Sequence, residues 1–414
     1  MVEIYNKKKS PGFILITSFF IMLLLISLAL YVTSFTLAEW HIAQSQAASV
    51  QTYYLAEAGI AEAIWKIKND PNWKNGFESS ATWSIDYTRN PALYPNGSYR
   101  IQINNNDLAK GEIIVTAYLN LANGATAQRV VKTNVYKALG DSPIGQNGQY
   151  ADGNIDMSGT VLNTFNGGFF SNNNIIANYW SVINAAGEVA AVNNIITNHS
   201  SHIVASSTRS SNINPPPPDP IPMPSVSFDN LNDPQSYKSR ADHLYTEKQF
   251  KDLLWDNLGK TLILNGINYV TGDVEIKGNI NLIINGTLVV DGDITLGKNT
   301  LLCCWGINCG LSKITINTLG TTTPSGLLSK RDINFELCLD SFDGKGLIYA
   351  NDKINILSLP NKIDVLGALV GRKITLTSLW QGVNITYDNS IVNYTLGNPI
   401  FSPIVTVEHW EEEY

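Results

Sequence analysis

Residues Phe13 to Ala38, FILITSFFIMLLLISLALYVTSFTLA, run for 26 positions without a charge, and Lys7, Lys8 and Lys9 stand just before them. A helix needs about 20 apolar residues to cross the hydrocarbon core of a bilayer. A charge at its centre would cost about 2.5–3.5 kcal/mol. The run therefore reads as a membrane-spanning helix. The lysines place its N-terminus in the cytoplasm and everything after Glu39 on the far side. A cleaved secretory signal has an apolar region of about 7–15 residues and a small-residue cleavage site. This run is longer and continues unbroken into Glu39-Trp40-His41. Its terminal place and its apolar character on every face favour a membrane over a protein core.

The helical pattern continues beyond the apolar run. Gln44 to Lys68 is rich in Ala, Gln, Glu, Leu and Lys, all good helix formers. Val50, Tyr53, Tyr54, Ala58, Ala61, Ile64, Trp65 and Ile67 recur mostly three and four apart, which predicts an amphipathic face. Asn69-Asp70-Pro71 ends the helix, since proline cannot continue the ladder. At 1.5 Å per residue, Phe13 to Lys68 gives a helix of about 84 Å.

After Trp73 the pattern becomes alternating. Residues 97–103, 112–118 and 129–135 read as three strands joined by turn-rich segments, an antiparallel meander able to cover the second half of the helix. From Gly148 a repeat begins. Asn154-Ile155, Asn174-Ile175 and Asn194-Ile195 are 20 residues apart. The same period returns at Val274-Glu275-Ile276, Ile294-Thr295-Leu296, Ile314-Thr315-Ile316, Ile333-Asn334-Phe335, Ile354-Asn355-Ile356 and Ile374-Thr375-Leu376. Short apolar strands at a fixed period with Gly, Asn and Asp between them predict a parallel β-solenoid, with three coils in Gly148–Asn198 and about seven in Thr261–Tyr394. The fold class is mainly β with a long N-terminal α-helix. Its predicted parts are a leader (1–12), the helix (13–70), a small antiparallel β domain (71–138), a first solenoid block (141–199), a linker and helical insert (200–260), a second block (261–400) and an acidic tail (401–414). In the linker, Pro215–Pro218, Pro220, Pro222 and Pro224 predict polyproline II. Asp233–Leu258 reads as a helix that packs on or caps the solenoid. Glu408–Glu413 reads as a solvated tail, since like charges in a row repel.

Ser10-Pro11-Gly12-Phe13 after the lysines resembles the prepilin signal of type IV pilins and type II secretion pseudopilins. The stretch Ala56-Glu57-Ala58-Gly59-Ile60 is similar to the helix motif of PilX-type N-terminal domains and tip pseudopilins. The resemblance implies cleavage by a prepilin peptidase between Gly12 and Phe13, and methylation of the new N-terminal Phe13. It also implies other pilin or pseudopilin subunits and inner-membrane assembly proteins as partners. Most major pilins carry Glu at the fifth mature position, where this chain has Thr17. That departure resembles a tip pseudopilin or a PilX-type minor pilin. Solenoid tails follow such N-termini in some bacterial surface proteins.

Charge and motifs narrow the remaining classes. The net charge is −7, and loss of the leader's three Lys and one Glu would leave −9. With no basic cluster outside Lys7–Lys9, nucleic acid is not an expected partner. Cys303, Cys304, Cys309 and Cys338 are candidates for disulfides, and four cysteines allow three pairings. Their spacing fits zinc poorly, and His199-x₂-His202 lacks a third ligand, so neither metal nor cofactor is expected. Asp291-Gly292-Asp293 reads as a turn rather than a Ca²⁺ loop. A polysaccharide-cleaving solenoid enzyme would need carboxylates converging on one face, and Asp291, Asp293, Asp352 and Arg372 fall near one corner. No catalytic motif accompanies them. The expected role is structural and non-enzymatic: a membrane-anchored, minor pilin-like protein with an extracytoplasmic solenoid head, at the cell surface or on a pilus after assembly. The alternatives are a carbohydrate-active enzyme or adhesin with no filament role.

Overall fold

One helix, α1 (Pro11–Asn69), runs unbroken for 59 residues. The computed structural model describes residues 11–90, 96–121, 124–230, 232–298, 311–320, 322–337, 339–358, 362–378, 382–397 and 399–413. The chain divides into two compact units, Met1–Ala138 with Pro403–Tyr414, and Leu139–Ser402.

In the first unit α1 buries Ala48, Thr52, Leu55, Ala56, Ile60, Ala63 and Ile67, a single stripe at three- and four-residue spacing. This corrects the expected face. Val50, Tyr54 and Trp65 are 54%, 58% and 60% exposed. Both stripes share the helical period. Ile67 is the one expected residue that is fully buried, and the stripe the sheet covers is centred on Gly59, where the two approach most closely. Asp70 then caps a second helix, α2 (Pro71–Ser79), its Oδ1 accepting from the Asn72 and Trp73 amides. Pro71 suits the first helical position, so the proline that stops α1 also starts α2. α2 was not expected. It buries Trp73 and Phe77, which meet Trp83 edge-on.

The sheet is antiparallel through β1 (Ser84–Arg89), β2 (Gly97–Asp107), β3 (Lys110–Asn120) and β4 (Thr126–Leu139). Its fifth strand, Phe401–Glu413, lies next to β4. The acidic tail is therefore not free. The backbone edge of β4 needs a partner, and Ile404-Val405-Thr406-Val407 is a good strand former. The solenoid is an insertion in the connection between β4 and this last strand.

The second unit is a three-sided parallel β-solenoid with inward Ile, Leu and Val stacked from coil to coil. Its spatial order is not its sequence order. Coils at 261–276, 281–296, 312–335, 339–358 and 362–378 lie in succession. The next coil is shared: Val383–Tyr387 forms its first side, and Asn147–Ala151 with Ile155–Ser158 form the other two. Coils at 161–178, 182–197 and 202–209 follow. The chain thus enters mid-stack at Gly140, whose amide donates to Ile400 O at 2.7 Å where the chain leaves. The C-terminal block supplies five coils and one side of a sixth, not seven. Ile294 pairs with Ile333, 39 positions on, while Ile314 sits on a different side, opposite Leu282. Insertions in that one coil add up to almost a full period, so the repeat kept its phase in the sequence without being an extra coil.

The chain returns from one end of the stack to the other as a strap over the outward face of the second side. That face carries Tyr269, Tyr349, Tyr150 and Phe170 in one column. Tyr150 Oη donates to Ile221 O at 2.7 Å and Tyr349 Oη to Pro224 O at 3.0 Å. An extended proline-rich segment leaves its carbonyls unpaired, so it can accept from a tyrosine ladder without offering donors. Phe228 and Tyr237 continue the cover. Only Glu247–Asp256 of the expected insert is helical, opened by a capping box between Thr246 and Gln249. Its Phe250 and Leu254 close the lumen at that end.

Candidate functional site

From Leu15 to Leu37 every residue of α1 is exposed. Phe19, Phe20, Leu24 and Leu30 are 61–68% exposed. The most apolar window of the helix has no buried residue and is long enough to cross a membrane. Its hydroxyls are turned inward. Ser18, Ser27, Thr33, Ser34 and Thr36 each donate to a carbonyl three or four residues back, at 2.7–2.9 Å. In hydrocarbon such groups have no water to bond, so this is the pattern a lipid environment demands. Thr17 lies on the exposed surface of this segment. Gly12 and Phe13 belong to the helix backbone. Lys7, Lys8 and Lys9, and all four cysteines, lie outside the described residues.

The Ala56–Ile60 motif sits where α1 meets the sheet. Ala56 and Ile60 are buried, Ala58 faces outward and Glu57 is half-buried. Gly59 is the closest approach: a Cβ there would come within 2.6 Å of Val115 Cγ1 and 3.0 Å of Tyr99 Cδ2. Gly59→Val is expected to cost about 1–3 kcal/mol by overpacking. Denaturant unfolding of the full chain in detergent, followed at the first unit, checks this, with Ala58→Val as the neutral comparison.

The ionised residue that matters here is Glu62, which the motif did not mark. It accepts from Tyr99 Oη and from Arg89 Nη1 at 2.6 Å, with Lys66 Nζ at 3.4 Å. Burial alone would raise its carboxyl. The Tyr99 and Arg89 hydrogen bonds and the Arg89 and Lys66 charges outweigh that and hold it below its ordinary value of 4.5. The resulting stability is present above that ordinary value and is lost as pH falls through the lower folded one. The first unit should therefore lose stability on acidification below about pH 4.5, and Glu62→Gln should flatten that slope in melts taken across pH.

Of the residues singled out at the solenoid corner, Asp291 and Asp293 are tied into the fold, while Asp352 and Arg372 form an exposed pair. Asp291 accepts from Tyr269 Oη and pairs with Lys330 at 3.0 Å, and Lys330 also holds Asp229 of the strap at 2.6 Å. Asp293 meets Arg331 at 3.4 Å and accepts from the Asp332 amide. Asp352 and Arg372 are 3.9 Å apart, one coil on. The corner acids climb the stack by accepting the next coil's amide, as Asp273 does from Asp293 and Asp332 does from Lys353. Burial, then the neighbouring charges of Asp293 and Asp352, raise the Asp332 carboxyl. His199 stacks on Tyr179. Among the described residues, no three His, Cys, Asp or Glu gather as a metal site.

No protein-family model and no curated protein sequence matches the chain. Among solved structures, the competence-associated pilin ComZ from Thermus thermophilus aligns over 88% of this chain and 97% of its own, at 10% identity and a TM-score of 0.24. That overlay is too slight to assign a role. The chain's own architecture is plain: a long N-terminal helix with a membrane-length apolar half, a small antiparallel sheet, and a parallel β-solenoid of about 20-residue coils.

Proposed function

We propose that this chain is a pilin-like structural subunit. Its helix anchors it in a membrane before assembly, and its solenoid is the displayed head. The observation that supports this best is α1. One half is apolar, exposed and internally satisfied in its polar groups; the other half is clamped by a sheet. Such a helix has a folded handle outside the membrane and a bare rod within it. A rod of that kind can leave lipid only for another apolar environment, and a bundle of like helices offers one.

A prepilin peptidase cuts between Gly12 and Phe13, Phe13 is methylated, and the N-terminus starts in the cytoplasm. The filament position is the tip. Thr17 has no carboxylate to pair with a neighbour's amine, and a head spanning Leu139–Ser402 is hard to repeat at every step of a helical filament. Intact mass and N-terminal sequencing of the protein from native cells test the processing. A methylated Phe13 is expected. An intact Met1 or cleavage beyond Ala38 would overturn the prepilin pathway. Immunogold labelling tests the position, and even labelling along filaments would rule out the tip.

A further inference from the structure

The last coils of the stack, from Met157 to Thr208, carry a single charged residue, Glu188, although 15% of the chain is charged. Glu188 is paired with Arg209 at 3.2 Å. At one corner of these coils the chain turns through left-handed residues: Gly159 (φ 58°), then Tyr179 (53°) and Trp180 (58°), then His199 (51°) and Ser200 (61°). Gly or Asn would hold this conformation at least cost, and an aromatic residue in it is strained. Strain of this kind, kept at an exposed position, points to a use for the side chain.

The stacking of the coils leaves the rings bare. Asn178 lies opposite Ser158, and Asn198 Nδ2 donates to Asn178 Oδ1 at 3.0 Å, so the corner residues fall into columns. Tyr179 stands between Gly159, which has no side chain, and His199, whose ring lies 4.6 Å away and within 9° of parallel. Trp180 stands beside the small Ser200 of the next coil, while toward the preceding coil three residues, Tyr179, Trp180 and Ser181, face only two, Gly159 and Thr160, so its ring has no counterpart there and is 72% exposed. Its amide donates to His199 O at 3.0 Å, which fixes the turn. Amide rails flank the rings. Asn178 and Asn198 form one. Asn184, Asn163 and Asn384 form the other, linked Nδ2 to Oδ1 at 2.9 and 2.8 Å. Each link uses one N–H of a side chain that has two, and one lone pair of an oxygen that has two.

We propose that this corner binds a neutral, extended polysaccharide, with sugar rings stacked on Trp180 and on the Tyr179–His199 pair and hydroxyls bonded to the two rails. Neutrality follows from the surface: a nucleic acid or acidic polymer needs Lys or Arg, and these coils offer none outside the Glu188–Arg209 pair. A repeating ligand follows from the rails, since the amides of each recur about every 4.8 Å along the stack. Rings set among amides and hydroxyls suit a ligand that is apolar on its faces and polar at its edges. The inference deepens the proposed role by naming what the displayed head takes hold of. The binding itself does not depend on a filament.

The test uses the full chain in detergent micelles, titrated with cellohexaose, chitohexaose, mannohexaose and xylohexaose, with hexagalacturonate as the acidic control, and read by tryptophan fluorescence. Saturable binding of at least one neutral hexasaccharide is expected. Trp180→Asn should weaken it by about tenfold or more. Because Asn accepts the left-handed turn, that variant should melt no lower than the parent, which separates lost binding from lost folding. Trp255→Ala, a 73% exposed tryptophan on the helix at the other end, should bind as the parent does. Undiminished affinity in Trp180→Asn, binding of hexagalacturonate alone, or no response to any neutral sugar would overturn the proposal. So would finding that Trp180→Asn abolishes only self-association in sedimentation, which would make the corner a contact between copies. A protein that binds sugar but retains Met1 would sink the pilin pathway and leave this site standing.

Discussion

Lys137→Ala will destabilise the helix–sheet unit by about 3–5 kcal/mol, the range seen when one partner of a buried ion pair is removed. The Lys137 side chain is fully buried on β4. Its Nζ donates to Glu78 Oε1 at 2.7 Å and to Ile67 O at 3.2 Å. Ile67 O belongs to the last turn of α1, whose carbonyls lack helical partners and favour a cation. Glu78 lies in α2. One ammonium therefore closes the end of one helix and ties down the next. The alanine variant leaves Glu78 facing an empty site and a carbonyl without its donor. Lys137→Met combined with Glu78→Gln should lose clearly less than the two single changes together, because the partners act as one unit. Denaturant unfolding of the full chain in detergent measures the parent, Lys137→Ala, the two single changes and the double variant. A loss under about 1 kcal/mol for Lys137→Ala would mean that the pair behaves as a surface bridge.

Lys137 also shows what the sequence could have yielded and did not. In β4 the residues Val131, Thr133 and Val135 point inward, and parity alone puts Lys137 on the same face. A charge on a buried parity is the signal, and it needed only the strand's end to be placed two residues later. Other features were legible at once. The solenoid was, because inward strands repeat with the coil, and so was the membrane-length run of α1. Local spacing could not supply spatial order. The shared coil joins Val383–Tyr387 to Asn147–Ser158, and no short-range pattern reveals which block lies next to which. The period at Ile314 misled for a physical reason: two insertions in one coil summed to nearly a repeat, and hydrophobic spacing records length rather than pairing. The face of α1 differs from the expected one because two apolar stripes share the helical period, and what decides between them is the close approach of the sheet at Gly59, which spacing does not record. The Tyr179–Trp180 corner was also missed. Backbone sign is invisible in sequence where the residues are not Gly or Asn.

Leu24→Asp with Leu28→Asp should remove the protein from the membrane while leaving both folded units intact. The two positions lie one turn apart on α1 and are 65% and 53% exposed, so nothing in the fold depends on them. In water the change would be mild, a pair of carboxylates on a solvated helix. In a bilayer each Asp costs about 2.5–3.5 kcal/mol at the helix centre and forfeits the gain of a Leu, for a total of about 6–8 kcal/mol. That corresponds to a shift in partition of at least four orders of magnitude, at about 1.4 kcal/mol per tenfold. Alkaline extraction of membranes separates the two cases: the parent should stay in the pellet and the double variant should leave it. Val50→Asp with Tyr54→Asp provides the contrast, since these are equally exposed but lie on the half of α1 that the sheet clamps, and that protein should remain in the pellet. If the Leu24 and Leu28 pair left partition unchanged, the bare half of α1 would have to be covered by protein rather than lipid even before assembly. The anchor would then be the first part of the proposed role to fall.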